Sequence, residues 1–162
     1  MQIITVNEDS NFLEVERVAK AAFSETPDST LDEWFSLSYM KAMIQEQRGL
    51  CLLAISPEGK GAGIIYAQQE NPINGKEGIE KWVIIIAGVD PEFTDQGIGS
   101  DLLEELEKQA KARGIKKMFT FTNKGDDKVI HFYHKNGYED AGWVKDYQYG
   151  TDNSAVFLLK YL

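Results

Sequence analysis

The stretch Val89-Asp90-Pro91-Glu92-Phe93-Thr94-Asp95-Gln96-Gly97-Ile98-Gly99-Ser100-Asp101-Leu102-Leu103 decides how this chain is read. It links an apolar strand, Lys81-Trp82-Val83-Ile84-Ile85-Ile86-Ala87, through a short loop and a glycine-paired turn to an amphipathic helix. A helix that opens on Gly-x-Gly leaves backbone N–H groups without intrahelical acceptors and aims the positive end of its dipole at the same place. Such a turn suits a phosphate or another compact anion, and Gly97 and Gly99 keep side chains out of its way. Two common nucleotide turns do not fit. A Rossmann fingerprint needs a third glycine at position 102, which is Leu102, and a P-loop needs Gly-Lys-Ser/Thr after the turn.

On the N-terminal side of this stretch, residues 3–6 read as a first strand. From Asp9, a plausible N-cap, Phe12, Val15, Val18, Ala19, Ala22 and Phe23 recur at helical spacing until Pro27. Asp28-Ser29-Thr30 can cap a second helix carrying Leu31, Trp34, Leu37, Met40 and Ile44, with Gly49 expected to end it. Residues 50–55 and 62–69 form a hairpin about the turn at 57–61, and a polar loop at 71–78 precedes the strand at 80–89. On the C-terminal side, Leu102, Leu103, Leu106 and Ala110 share one helix face, closed by Gly114. A strand at 117–122 follows, then a short helix from Asp126 to Gly137 and two strand-like runs, 138–149 and 154–161, about Gly150-Thr151-Asp152-Asn153. The expected order is β-α-α-β-β-β-α-β-α-β-β: an α/β chain with one mixed sheet.

Length and composition agree with one domain spanning residues 1–162, and no repeat or linker interrupts it. Cys51 is the only cysteine and lies in an apolar run, so no intrachain disulfide is possible and a buried thiol is expected. The acidic balance, 26 Asp and Glu against 17 Lys and Arg for a net charge of −9, argues against nucleic acid as a partner. No apolar run approaches membrane-spanning length and residues 1–6 lack the pattern of a signal peptide, so a cytoplasmic setting is expected.

Thr94-Asp95-Gln96-Gly97-Ile98-Gly99 resembles the Arg/Gln-x-x-Gly-x-Gly/Ala motif of the GNAT superfamily of N-acetyltransferases, where the turn before a helix holds the pyrophosphate of acetyl-CoA. The flanking Val89-Asp90-Pro91-Glu92-Phe93 and Ser100-Asp101-Leu102-Leu103-Glu104-Glu105-Leu106 are similar to the family as well. So are Phe132-Tyr133-His134-Lys135-Asn136-Gly137-Tyr138 and the tail from Lys145-Asp146-Tyr147 to Lys160. The resemblance covers residues 79–162; the first half has a compatible element order and no motif of its own. It implies a splayed sheet of about seven strands flanked by about four helices, and direct transfer of an acetyl group from acetyl-CoA to a primary amine of a small molecule, amino acid or peptide. No metal and no membrane are implied, and a homodimer is an open assembly state.

Carried over residue by residue, the resemblance makes Tyr133 the general acid that protonates the departing sulfur. Gln96, Gly97, Ile98, Gly99 and Ser100 would hold the pyrophosphate, and Val89 would offer strand-edge backbone to pantetheine, with a bulge expected at Gly88. Asp126 stands where relatives often carry an amide that contacts pantetheine, although helix N-capping is its expected role. Thr94 and Asp95 depart from the motif: a long donor is missing and a carboxylate sits near the expected phosphate. Asp95 could itself cap the helix and occupy the amides, which would leave a protein-interaction domain; a CoA-binding sensor without turnover is the other alternative. Glu70, Glu80, His131, His134 or a relaying water are the base candidates, and His131 with His134 lacks a third metal ligand. Trp34, Phe35, Tyr39 and Met43 lie on the helix expected beside the acceptor groove, with core packing the preferred role for most.

Overall fold

The computed structural model describes residues 1–7, 9–24, 31, 35–70, 80–147 and 153–162. The elements in chain order are β1 (Gln2–Thr5), α1 (Asp9–Ala22), α2 (Leu37–Gln45), β2 (Gly49–Ile55), β3 (Gly61–Gln69), β4 (Lys81–Val89), a 3-10 turn (Pro91–Phe93), α3 (Ile98–Ala112), β5 (Lys117–Asn123), α4 (Asp127–Lys135), β6 (Glu139–Val144) and β7 (Ala155–Tyr161). The strands make one seven-stranded sheet in the order β1-β2-β3-β4-β5-β7-β6. Among the described residues this is the expected mixed α/β architecture with four helices. Pro27, the cap candidates Asp28-Ser29-Thr30, Trp34, the loop 71–78 and the tip Gly150-Thr151-Asp152 fall outside the described residues.

β1 to β4 form an antiparallel meander, and β2 and β3 are buried almost throughout because helices cover both faces. Their residues divide by strand alternation between two cores. Cys51, Leu53, Ile64, Tyr66 and Ile86 pack with α1 and α2; Leu50, Leu52, Ile65, Trp82 and Ile84 pack with α3 and α4. Cys51 is fully buried, as its apolar setting predicts. On the second face, Lys160 Nζ on β7 pairs with Glu107 of α3 at 2.6 Å and donates to the Asn136 carbonyl at the end of α4 at 2.9 Å. One lysine from the tail motif thereby ties three elements together.

β4 and β5 are parallel, and their ladder runs only through Lys81↔Lys117, Trp82↔Met118 and Val83↔Phe119. Beyond Val83 the strands part, so 84–89 of β4 faces a widening gap on the β5 side while β3 still pairs with its other edge. The bulge in β4 is at Ile85, not at Gly88: Tyr66 pairs with Ile86 and Ala67 with Ile84, leaving Ile85 unpaired just where the strands separate. An extra residue there increases the local twist and turns the end of β4 away from β5. Gly88 is required for another reason. A Cβ there would lie 2.8 Å from the Ala22 Cβ of α1, so the missing side chain lets the helix sit on the strand.

Local boundaries differ in two places. α2 begins after Ser36, whose hydroxyl accepts from the Tyr39 amide, and it ends at Gln45 instead of reaching Gly49. Gln47 takes φ 58° to reverse the chain, which frees Gly49 to start β2 against Tyr66. β6 is shorter than the run 138–149, ending at Val144 before Asp146 turns at φ 49°.

Candidate active site

Four elements meet at the parted strands. β4 ends at Val89, and Asp90 starts the 3-10 turn by accepting the Glu92 amide at 3.1 Å. The chain then turns at Asp95 (φ 61°) and Gly97 (φ 79°) to enter α3. Gly97 is the N-cap, and among the described residues no side chain caps this helix. Asp95 therefore does not fold back over the amides, and the capped-helix alternative is not the arrangement adopted. Its carboxylate is exposed, and aspartate is one of the few side chains that tolerates the left-handed conformation.

The amides of Gly97, Ile98 and Gly99 find no acceptor among the described residues, whereas the amides of Ser100 and Asp101 both donate to the Gly97 carbonyl, at 3.0 and 3.1 Å. The amides without an acceptor are therefore three of the four in the run 97–100, because the first turn of α3 has already drawn in Ser100. Gln96 lies exposed at the rim. Ile98 sends its side chain into the core, 3% exposed, so only its backbone faces the site. A Cβ at Gly97 would meet nothing within 4 Å, and one at Gly99 would lie 3.3 Å from Phe132 of α4 and 3.8 Å from Val89. The turn, the end of β4 and α4 thus lie together, with Gly99 closed against Phe132 and the space over Gly97 open to an anion approaching the backbone.

Tyr133 is reached from the other side of this space. α4 starts at Asp126, whose side chain accepts the Val129 amide at 3.2 Å, and ends at Gly137 (φ 85°). Asp126 thus acts as the helix cap. Tyr133 is 4% exposed and packs edge-on against Phe132 and Tyr138, both 5.1 Å away between ring centroids. Its hydroxyl lies beside the Thr120 side chain of β5. The Thr120 hydroxyl in turn donates to the Ile84 carbonyl of β4 at 3.3 Å. Thr120 and Ile84 are the residues directly after the last β4–β5 pair, so Tyr133 holds its hydroxyl at the point where the strands divide. Burial pushes this phenol up to about 12 despite the neighbouring Thr120 hydroxyl, so it stays protonated across the biological range. Thr120 was not singled out by sequence reading; its only trace is the alternation Thr120-Phe121-Thr122, which puts a hydroxyl on a buried strand face.

The candidate bases are scattered. Glu80 pairs with Lys116 at 2.6 Å and Glu70 pairs with Lys81, both at the start of β4 and away from the divided end. His134 Nε2 lies 2.8 Å from Asp140 Oδ1 on the outer side of α4, and His131 is exposed. None of these is brought to Tyr133. Phe35, just before α2, and Met43 on it are core residues at 8% and 2% exposure, while Tyr39 of α2 is 44% exposed.

Solved structures share this arrangement over nearly the whole chain. Ribosomal-protein-alanine N-acetyltransferase from Brucella melitensis matches with a TM-score of 0.83 at 18% identity, covering 100% of both chains. Aminoglycoside 6'-N-acetyltransferase from Enterococcus faecium matches at 0.74 and 19% identity, covering 99% of this chain and 97% of that one. An aminoglycoside 6'-N-acetyltransferase complexed with coenzyme A matches at 0.76 and 18% identity, with the same coverage. At these identities the likeness establishes the fold. The sequence itself matches the family model described as Acetyltransferase (GNAT) family over residues 13–138, which include most of α1, the divided strand, the glycine turn and Tyr133. The chain therefore belongs to the GNAT family and is an acetyltransferase that draws its acetyl group from acetyl-CoA.

Proposed function

We propose that residues 1–162 act as one domain that transfers acetyl from acetyl-CoA to a primary amine, by direct attack while both are bound. The observation that carries this reading is the conjunction of three acceptor-free amides at Gly97, Ile98 and Gly99 with a protonated Tyr133 hydroxyl at the head of the parted strands. Bound acetyl-CoA supplies an activated thioester. The amides of 97–99 hold its pyrophosphate, helped by the α3 dipole, and the open edge of β4 up to Val89 pairs with pantetheine amides as an added strand would. Gln96 and Ser100 line the rim. Asp126 serves this site indirectly, by starting α4 at the position that brings Tyr133 inward.

The amine attacks the thioester carbonyl, a C–N bond forms and the C–S bond breaks. Tyr133 donates its proton to the departing sulfur, giving a free thiol and the amide. The proton lost from the amine leaves through water, since neither Glu70, Glu80, His131 nor His134 reaches the site, and Tyr133 is restored by the same solvent. Thr120 keeps the hydroxyl aimed at the gap. The acceptor is a primary amine on a small molecule, amino acid or peptide. Relatives of this fold named for ribosomal-protein alanine and for aminoglycosides span that range.

Thiol release from acetyl-CoA across a panel of amines tests the proposal. Release that requires both an amine and Tyr133 supports it. Tight CoA binding without turnover for any amine would leave a sensor of the same fold, and no CoA binding at all would overturn the assignment of the turn.

A further inference from the structure

Beyond the residues that face the gap, one ion pair joins α1 to the loop that presents the amides. Arg17 of α1 donates from Nη1 to Asp90 Oδ2 at 2.8 Å, from Nε to Glu14 Oε1 at 2.8 Å and from Nη2 to the Gly61 carbonyl at 2.5 Å. Glu14 Oε1 also accepts the Gly61 amide at 2.8 Å. The Asp90 side chain is only 5% exposed, although the protein surface would readily take a carboxylate at the start of a loop. Burial alone would raise the Asp90 carboxyl, but bonds from Arg17 and the Glu92 amide, with the nearby Lys60 charge, outweigh it and hold the group below its ordinary value.

Asp90 is fixed on every side. Its amide donates to the Ala62 carbonyl at 2.9 Å, its carbonyl accepts from Phe93 at 2.8 Å, and Oδ1 accepts from Glu92 at 3.1 Å. Only Oδ2 is left to Arg17. From this anchor the chain reaches the Gly97 cap through one 3-10 turn, tied by the Lys60–Glu92 pair and by Phe93 against the core, and then through the left-handed Asp95. A rotation at Asp90 would thus carry through to the direction in which the 97–99 amides point.

We infer that Arg17 is a positioning residue for acetyl-CoA: by clamping Asp90 it sets the aim of the anion-binding turn, and it couples the seating of α1 to cofactor affinity. The inference rests on the proposed use of that turn. Arg17 touches neither the reacting atoms nor the turn itself, and its effect on the reaction passes through Asp90. Because α1 also packs on Gly88, a shift of this helix reaches both β4 and the loop that follows.

The test compares wild type, Arg17→Met, Arg17→Lys and Asp90→Asn for CoA binding by calorimetry, for KM and kcat, and for thermal midpoint. Wild-type CoA binding is the baseline; its absence would sink the underlying site assignment, not this inference. Arg17→Met should weaken CoA about tenfold or more and raise the acetyl-CoA KM in parallel, while kcat at saturation stays within about twofold. Arg17→Lys should recover part of the loss, since an ammonium can reach Asp90 but cannot also fork to Glu14 and Gly61. The same helix carries an exposed pair, Glu16 with Lys20, and Glu16→Gln should leave CoA binding unchanged. Should Arg17→Met fail to fold, amide exchange at 92–97 in Asp90→Asn decides: faster exchange reversed by saturating CoA supports the clamp, and wild-type exchange overturns it. Folded variants with lower thermal midpoints and wild-type CoA affinity would also overturn it.

Discussion

The turn before α3 and the exposed side of α2 both belong to the proposed reaction, yet they are built on opposite principles. The turn works through backbone: Gly97 and Gly99 withdraw, Ile98 points inward, and three amides remain. Any chain that puts two glycines and a helix start after a strand can make the same contacts. α2 has no such constraint, and under the proposed reaction what it shows an incoming amine depends on exposed side chains such as Tyr39. A carrier common to many reactions is met by main chain, and a partner peculiar to one reaction is met by side chains. The first kind of site leaves a spacing in the sequence and the second leaves a residue that looks like any other.

The sharpest break in that contrast is Tyr133, a side chain on the carrier's side. Tyr133→Phe should lower kcat by roughly a hundredfold or more with the acetyl-CoA KM little changed, as measured by thiol release under saturating amine. A phenol raised to about 12 acts only while protonated, so its contribution should persist to about pH 10 and decline as pH rises through the folded value. An activity loss beginning near neutrality therefore has to come from another group.

Next in size is Gly88→Val. The new side chain meets Ala22 at 2.8 Å from its first carbon, so α1 must lift or β4 must bend, at a cost of about 1–3 kcal/mol in chemical denaturation. Loss of CoA affinity in the same variant would show that the carrier's side depends on helix packing as well as on amides. Asp95→Gly is expected to do the reverse. Removing a carboxylate near bound phosphate should strengthen CoA binding by ~1 kcal/mol, about fivefold by calorimetry, because the repulsion is solvated. The smallest effect belongs to the acceptor side. Tyr39→Ala should alter stability by no more than about 0.5 kcal/mol and shift only the KM for amine; an equal shift for acetyl-CoA would erase the distinction between the two sides.

The legible parts of the fold were those set within a few residues. Gly114 and Gly137 end their helices with φ near 85°, and Asp126 caps α4, because each answers to a local backbone need. The bulge was misplaced for the opposite reason. Gly88 looks like a bulge in isolation, but its absent side chain makes room for α1, and the bulge falls at Ile85 in a run of isoleucines that gives no sign of it. In the site, Gly97, Gly99 and Tyr133 carried motif spacing. Thr120 and Arg17 did not: one acts across a gap between strands, and the other pairs with a residue 73 positions away. Nor does the sequence reveal how early α3 takes up the Ser100 amide.

The three-pair ladder between β4 and β5 has one more consequence. Most sheets keep their raw borders at the outside, where charge or a covering helix guards them; this one also opens a border in its middle. Any extended segment with the right amides, including a strand from a neighbouring molecule, is chemically suited to zip into that seam. Saturating the protein with CoA should therefore suppress self-association on storage as well as raise its melting point, because the ligand closes a place where chains could otherwise cross-pair.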